Sequence, residues 1–296
     1  MKLSVIIVNY NGGTMVLDAI SSVFDTGGNL AVEIIIADNG STDGSLDAIR
    51  KQFGNRITIV EMGKNAGFAA ANNAGAKIAN GEYLLFLNPD TIVLNGALQA
   101  MVEYMDAHAE IGACGGNLYS RTMQPQFSYW TLFPGVKMEW HGLWSDYFLR
   151  QRHHGSHEHN YTQQPKSVAY CMGADLMVRK SVWEQVGGMD EAFFLFYEET
   201  ELCYRIHRAG YGIVNIPQAK IIHLEGQTID KLSIRRQQMM RSRTIYLCKC
   251  CSPAERWMAN LLLRLSCRLR VGWFALRGNK EKVKYWNDTY HWHISA

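Results

Sequence analysis

Val32-Glu33-Ile34-Ile35-Ile36-Ala37-Asp38-Asn39-Gly40-Ser41-Thr42-Asp43-Gly44-Ser45 runs from an apolar segment straight into a polar turn and then into a helix start. Its β-branched run suits a strand covered on both faces. Asp-Asn-Gly is a turn sequence whose side chains can bond the backbone two residues on. The same grammar repeats on either side. Residues 3–8 form a buried strand that ends at Asn9-Tyr10-Asn11, and residues 14–25 have helical spacing. Downstream, residues 43–53 read as a helix, 57–61 as a strand, 67–79 as an Ala-rich helix, and 83–87 as a strand ending at Asn88-Pro89-Asp90. Strand–helix alternation of this kind predicts an α/β fold, a mostly parallel sheet flanked by helices. Ligands of such sheets bind beyond the carboxyl ends of the strands. Three polar clusters sit at those ends: Asn9/Asn11, Asp38 to Ser41, and Asn88 to Asp90. They predict a nucleotide or sugar site.

Further along, residues 95–110 read as a helix, and from about 120 to 166 the pattern breaks into aromatics, Pro, Gly and His. A loop-rich insertion on the acceptor side is expected there. Its His153 to His159 cluster reads as a solvated loop better than as a metal site, and Trp130 and Trp140 suit either sugar stacking or packing. Periodicity returns at residues 169–179, in a helix near 181–187, in a helix over 200–209, and in short strands at 213–216 and 220–223.

The chain has 296 residues, 47% hydrophobic and 19% charged, an ordinary globular composition. Its seven cysteines show no paired CxxC spacing, which favours reduced thiols in a cytoplasmic protein. The N-terminal apolar run is too short for a signal peptide, and no run of about 18 uncharged apolar residues predicts a spanning helix. Charge is lopsided: residues 1–230 hold 16 Lys/Arg and 24 Asp/Glu, whereas residues 231–296 hold 14 and three. The expected organisation is a catalytic domain over 1–230 and a basic helical tail over 231–296.

Six stretches in consistent order resemble family 2 glycosyltransferases of the GT-A fold, in particular their rhamnosyltransferase-like branch. They are Ser4 to Asn11, Asp38 to Ser45, Asn65 to Asn73, Leu87-Asn88-Pro89-Asp90, Gly187 to Glu191, and Glu198 to Arg205. The resemblance covers roughly residues 3–225. It implies an inverting transfer of a sugar, rhamnose among the candidates, from a dTDP- or UDP-linked donor to a glycan or lipid-linked acceptor in cell-surface polysaccharide synthesis. It also implies residue roles. Asp38 would accept from the imide N–H of the base, for which an acceptor-only carboxylate is suited; an Asx turn or N-cap is the alternative. Asn9, Asn11, Asn65, Gly67, Asn72 and Asn88 would line the nucleotide. Asp90, with His223, would hold Mg²⁺ or Mn²⁺ against the diphosphate. Asn88 stands where the family's metal motif has its first Asp. Glu199 aligns with the family's base, usually Asp, with Glu198 as the second candidate; acids at a helix N-terminus also complement its dipole. Gly173, Ala174 and Asp175 align near the sugar, and Asp175 could bind a hydroxyl or pair with Arg179.

On a helix over residues 253–277, Arg256, Asn260, Arg264 and Arg268 would share one face and Met258, Leu262, Leu265, Leu269, Trp273 and Leu276 the other. A basic amphipathic helix suits the anionic inner face of the cytoplasmic membrane; packing on the catalytic domain or a subunit is the alternative. No nucleic-acid-binding fold is recognisable. Two competing functions are a non-catalytic partner subunit and a sugar nucleotidyltransferase. Asn11-Gly12-Gly13-Thr14 lacks the Arg expected of the latter.

Overall fold

The computed structural model describes residues 1–148, 158–224 and 232–295. The N-terminal alternation is β1 (Leu3–Asn9), α1 (Met15–Thr26), β2 (Val32–Asp38), α2 (Ser45–Phe53), β3 (Thr58–Glu61), α3 (Phe68–Ile78) and β4 (Tyr83–Leu87). Next come β5 (Thr91–Val93), α4 (Ala97–Ala107), β6 (Ile111–Tyr119), β7 (Tyr129–Trp130), α5 (Val136–Phe148), β8 (Lys166–Ser167), β9 (Tyr170–Cys171) and β10 (Asp175–Arg179). The chain closes with α6 (Lys180–Val186), α7 (Glu198–Arg208), β11 (Gly212–His223), α8 (Leu232–Cys250), α9 (Pro253–Leu276) and α10 (Lys280–Ser295). Contacts divide it into two units: residues 1–131, 155–194 and 198–230, and residues 132–154, 195–197 and 231–296. Part of the insertion therefore groups with the tail.

In the first unit the sheet runs β3-β2-β1-β4-β10-β6-β11-β5, with β8 also on β11, and β7 pairs β9 separately. β1 is parallel to β2 and β4, and β6 to β11, while β10, β5 and β8 run antiparallel to their neighbours. Alternation along the central strands fills both faces. Leu3, Val5, Ile7, Ile34 and Ile36 pack with α1 and α4 residues such as Val16, Ile20, Leu98 and Met101. Ile6 and Ile35 point the other way, against α3 at Gly75. Each fully buried Ile or Leu contributes roughly 1.5–3 kcal/mol.

Two features differ from the sequence expectation. Residues 111–119, for which the sequence predicts no element, form a central strand. The glycines answer to close approach: a Cβ on Gly116 would sit 2.4 Å from the Ala219 carbonyl oxygen, and one on Gly115 2.7 Å from Cys171 Cβ. The two short strands expected at 213–216 and 220–223 are one strand, β11, whose register shifts between Ile216 and Lys220 around Pro217. Proline cannot donate to the ladder, so it sits at the irregularity.

The second unit is helical. α9 starts with Ser252 and Glu255 bonded reciprocally as a capping box and Pro253 in the first turn. Its buried side is Ala259, Leu262, Leu263, Ser266 and Cys267. Met240, Leu263 and Cys267 pack with Trp286, Tyr290 and Trp292. Buried Arg243 on α8 bonds Glu139 of α5 at 2.7 Å and Asn260 of α9 at 3.0 Å. The two faces expected of 253–277 lie on one helix, but packing covers part of each: Leu262 is core, Asn260 faces Arg243, and Arg256 reaches Cys248 Sγ at 3.0 Å. Helix packing rather than hydropathy alone decides which leucines turn inward.

Candidate functional site

The carboxyl ends of β1, β2 and β4 carry the first polar residues. Asn9 is wholly buried, and its amide donates to Asp38 Oδ1 (2.9 Å), Ser41 Oγ (3.0 Å) and Ser45 Oγ (2.9 Å). Asp38 Oδ2 accepts from the N–H groups of Gly40 (3.2 Å) and Ser41 (3.1 Å). The Asx turn is therefore present, and three of the roughly four lone-pair directions of the carboxylate are occupied. Asn9 supports Asp38 from below. Asn11, exposed and at φ 54°, accepts from Thr42 N–H at 2.8 Å and ties the first loop to the second.

Asn39 is a residue that the sequence reading passed over. Its amide donates to Asn65 Oδ1 (3.0 Å) and Gly67 O (3.2 Å), and its oxygen accepts from Ala66 N–H (2.9 Å). It clamps the loop before α3 onto the turn after β2; its place beside Asp38 was the available signal. Gly67 has φ 96°, and a Cβ there would lie 2.8 Å from the Phe194 carbonyl oxygen. Asn72 is buried on α3, its amide donating to Phe68 O at 3.1 Å.

After β4 the chain turns through Asn88, Pro89 and Asp90. Asn88 N–H donates to Ala174 O at 2.9 Å, and Thr91 Oγ1 donates to Asn88 O at 2.7 Å. β11 pairs β5 with His223 opposite Thr91. This register brings His223 Nε2 to 3.4 Å from Asp90 Oδ1 and 3.4 Å from Asn88 Nδ2. Among the described residues no three His, Cys, Asp or Glu side chains cluster for a metal. One carboxylate, one imidazole nitrogen and an adjacent amide fit an ion that takes most ligands from diphosphate and water, as Mg²⁺ commonly does.

β10 runs antiparallel to β4 with Asp175 opposite Leu87, so Gly173, Ala174 and Asp175 arrive at the same edge. Gly173 lies against Glu199: a Cβ on the glycine would meet Glu199 Cγ at 3.4 Å. Glu199 is partly buried in the first turn of α7, and Glu198 beside it is buried. Burial, with the Glu199 charge beside it, pushes Glu198 well above the ordinary carboxylate range. The two residues before this pair, Phe196 and Tyr197, have φ of 68° and 71°. Bulky side chains in that region are strained by roughly 1–3 kcal/mol each. Glu201 pairs with Arg205 at 2.6 Å.

Asp175 is wholly buried, and its Oδ2 accepts from Gly116 N–H at 2.6 Å. Arg179, the alternative partner, instead donates to the carbonyls of Met105 and His108 and to Tyr83 Oη. Burial pushes the Asp175 carboxyl up to about 6, against the opposing pull of the Gly116 N–H and the His223 charge. Between about pH 4 and 6 the folded chain then keeps a proton that the unfolded chain releases. Stability falls as pH rises through that window, by up to roughly 3 kcal/mol. Asp175→Asn is expected to unfold at higher urea than the wild type at pH 8, and to lose this advantage at pH 4, both measured in EDTA. A wild-type excess at pH 8 would contradict this account.

Other expectations resolve locally. His159 is buried, its Nδ1 3.0 Å from Gln126 O and 3.3 Å from Ser128 Oγ, so this histidine of the cluster is not solvated; His153, His154 and His157 lie outside the described residues. Trp130 packs with Phe127 and Tyr170, and Trp140 is exposed. All seven cysteines are free, and burial pushes the Cys114, Cys171 and Cys203 thiols far up, out of reach of nucleophilic use. Asn72 Oδ1, Asp175 Oδ1, Glu198 Oε2 and His223 Nδ1 are buried without a hydrogen-bond partner. Buried polar atoms are ordinarily paired, and Asn215 Oδ1 on β11 is unpartnered as well.

Similarity to known proteins agrees with this geometry. The N-acetylglucosaminyl-diphospho-decaprenol L-rhamnosyltransferase of Mycobacterium tuberculosis is 26% identical over 213 residues, which are 65% of this chain and 66% of that protein, just under two thirds of its length. The low-salt glycan biosynthesis hexosyltransferase Agl10 of Haloferax volcanii is 27% identical over 244 residues, 77% of this chain and 68% of its own. The dTDP-rhamnosyl transferase RfbF of Shigella flexneri is 26% identical over 180 residues, 60% of this chain and 55% of that protein. Among solved structures, the mannosyltransferase PcManGT of Pyrobaculum calidifontis, in complex with GDP-Man and Mn²⁺, superposes with a TM-score of 0.63 at 16% identity, covering 99% of this chain and 85% of that one. GalNAc-T7 with UDP, GalNAc and Mn²⁺ gives 0.62 at 18%, covering 83% and 47%. The fold is that of the GT-A glycosyltransferases. The model of the family described as glycosyl transferase family 2 matches residues 4–187, a span that holds Asp38, Asp90 and Asp175 and stops short of Glu198, and the chain belongs to that family.

Proposed function

We propose that the chain is an inverting glycosyltransferase that moves a sugar, rhamnose first among the candidates, from a dTDP- or UDP-linked donor to a glycan or lipid-linked saccharide. The setting proposed is cell-surface polysaccharide synthesis at the cytoplasmic face of the membrane. The observation that carries this reading is the shared sheet edge: Asp38 at the end of β2, Asp90 after β4 with His223 at the end of β11, and Glu199 against Gly173 before β10. The names of the mycobacterial and Shigella relatives support the sugar, and the latter name supports the dTDP donor. The Mn²⁺ present in both structural neighbours supports a divalent ion.

In this mechanism Asp38 accepts from the base with its remaining lone pair, and Asn11, Asn39, Asn65 and Gly67 shape the loops around the nucleotide. Asp90 and His223, with Asn88 beside them, would hold Mg²⁺ or Mn²⁺, which when bound supplies positive charge for the departing diphosphate. The acceptor hydroxyl oxygen attacks the anomeric carbon as the bond to the diphosphate oxygen breaks, so the configuration inverts. Its proton passes to Glu199. Burial disfavours charge on Glu198, which favours Glu199, the better solvated member, as the charged partner of the pair.

Calorimetry with UDP, dTDP, GDP and CDP, with and without Mn²⁺, tests this reading. Metal-dependent binding of dTDP or UDP, without GDP or CDP, is expected. Binding of none of the four would overturn it.

A further inference from the structure

The exposed apolar residues of the second unit concentrate on one helix. Trp257 (63% exposed), Met258, Leu261 (45%), Leu265 (45%), Leu269 and Leu276 (89%) all lie on α9, opposite the buried Ala259, Leu262, Leu263, Ser266 and Cys267. Trp257, Leu261, Leu265 and Leu269 recur every four residues, so they form a row along one side. A 24-residue helix is about 36 Å long, and the row from Trp257 to Leu269 follows about half of it. Exposed Arg264 and Arg268 border it, and Arg277 near its end stacks over the Trp273 ring at 4.0 Å. α9 is therefore apolar on two sides, one filled by α5, α8 and α10 and the other facing outward.

We propose that the outward row of α9 is a docking surface for an anionic lipid bilayer, on which the helix lies in the plane of the interface. Charge selects this occupant. Residues 231–296 carry 14 Lys/Arg against three Asp/Glu, a strong attraction for anionic head groups and a repulsion for a second copy of the same face. Leucines and a tryptophan between arginines match the acyl–head-group boundary; a nucleic acid backbone would leave them wet. No helix among the described residues is long and apolar enough to cross a membrane, so α9 lies on the bilayer. The surface involves none of the residues assigned to sugar transfer, and its test is independent of that assignment.

The experiment is flotation of the full chain with vesicles of phosphatidylcholine alone or with phosphatidylglycerol added, without donor or acceptor. Wild-type protein is expected to float with the anionic vesicles and to stay behind with the neutral ones. Leu261→Gln with Leu265→Gln is expected to weaken flotation by roughly ten-fold or more, through lost apolar burial. Arg264→Gln with Arg268→Gln should weaken it by about five-fold per arginine, an effect that high salt reproduces. All four positions are exposed and glutamine is a good helix former, so the thermal midpoint of the leucine variant should match the wild type, and that of the arginine variant should fall only by the loss of the Arg268–Tyr290 hydrogen bond (2.8 Å). Absent flotation, equal flotation with both vesicle types, or flotation indifferent to both variant pairs would overturn the proposal. So would concentration-dependent dimerisation, seen by sedimentation without vesicles and lost in the leucine variant, because a second copy would then be the occupant.

Discussion

Glu199→Gln is expected to lower kcat by about 10²–10⁴-fold, the usual contribution of a general base. Affinity for the nucleoside diphosphate should stay within about two-fold, as Glu199 belongs to the acceptor side in the proposed mechanism. The amide keeps the shape of the side chain that lies against Gly173 and removes its charge, and with it the ability to take a proton. Glu198→Gln supplies the contrast. Glu198 is buried with its carboxyl pushed well above the usual range by desolvation and the neighbouring Glu199 charge, so an uncharged amide disturbs this position less. Its kcat should fall far less than that of Glu199→Gln. A reversed order, measured by initial rates at saturating donor, would move the base to Glu198.

Asp90→Asn is expected to remove the Mn²⁺ dependence of both nucleotide binding and turnover. The ion is worth several kcal/mol to the departing diphosphate, so turnover should fall by about 10²-fold or more. In EDTA the affinities of variant and wild type for the diphosphate should converge. Asn88 already contributes an amide beside Asp90, and Asn at both positions would leave only His223 with an ionisable donor. An unchanged calorimetric response to Mn²⁺ would place the ion elsewhere.

Much of the sheet edge is legible in sequence because its signals are local. Apolar runs that stop at Asn9, Asp38 and Leu87 announce strands, and the polar residues after them announce where a ligand lies. Asp90 and Glu199 emerge from motif order alone. Asn39 is less visible, since its three hydrogen bonds reach a loop more than 25 residues away. β6 is hidden for a related reason: its glycines serve Cys171 and Ala219, partners that arrive from distant strands.

The alternating strand–helix order, the family, and the acids and amides at the strand ends are legible without coordinates, because turn chemistry and hydrophobic period act over a few residues. Tertiary structure alone decided the pairing of His223 with Asp90 through the β11–β5 register, and the inequality of Glu198 and Glu199 through burial. It also decided which leucines of α9 point outward. Each of these depends on what packs from elsewhere in the chain, and desolvation and side-chain contact are properties of that packing.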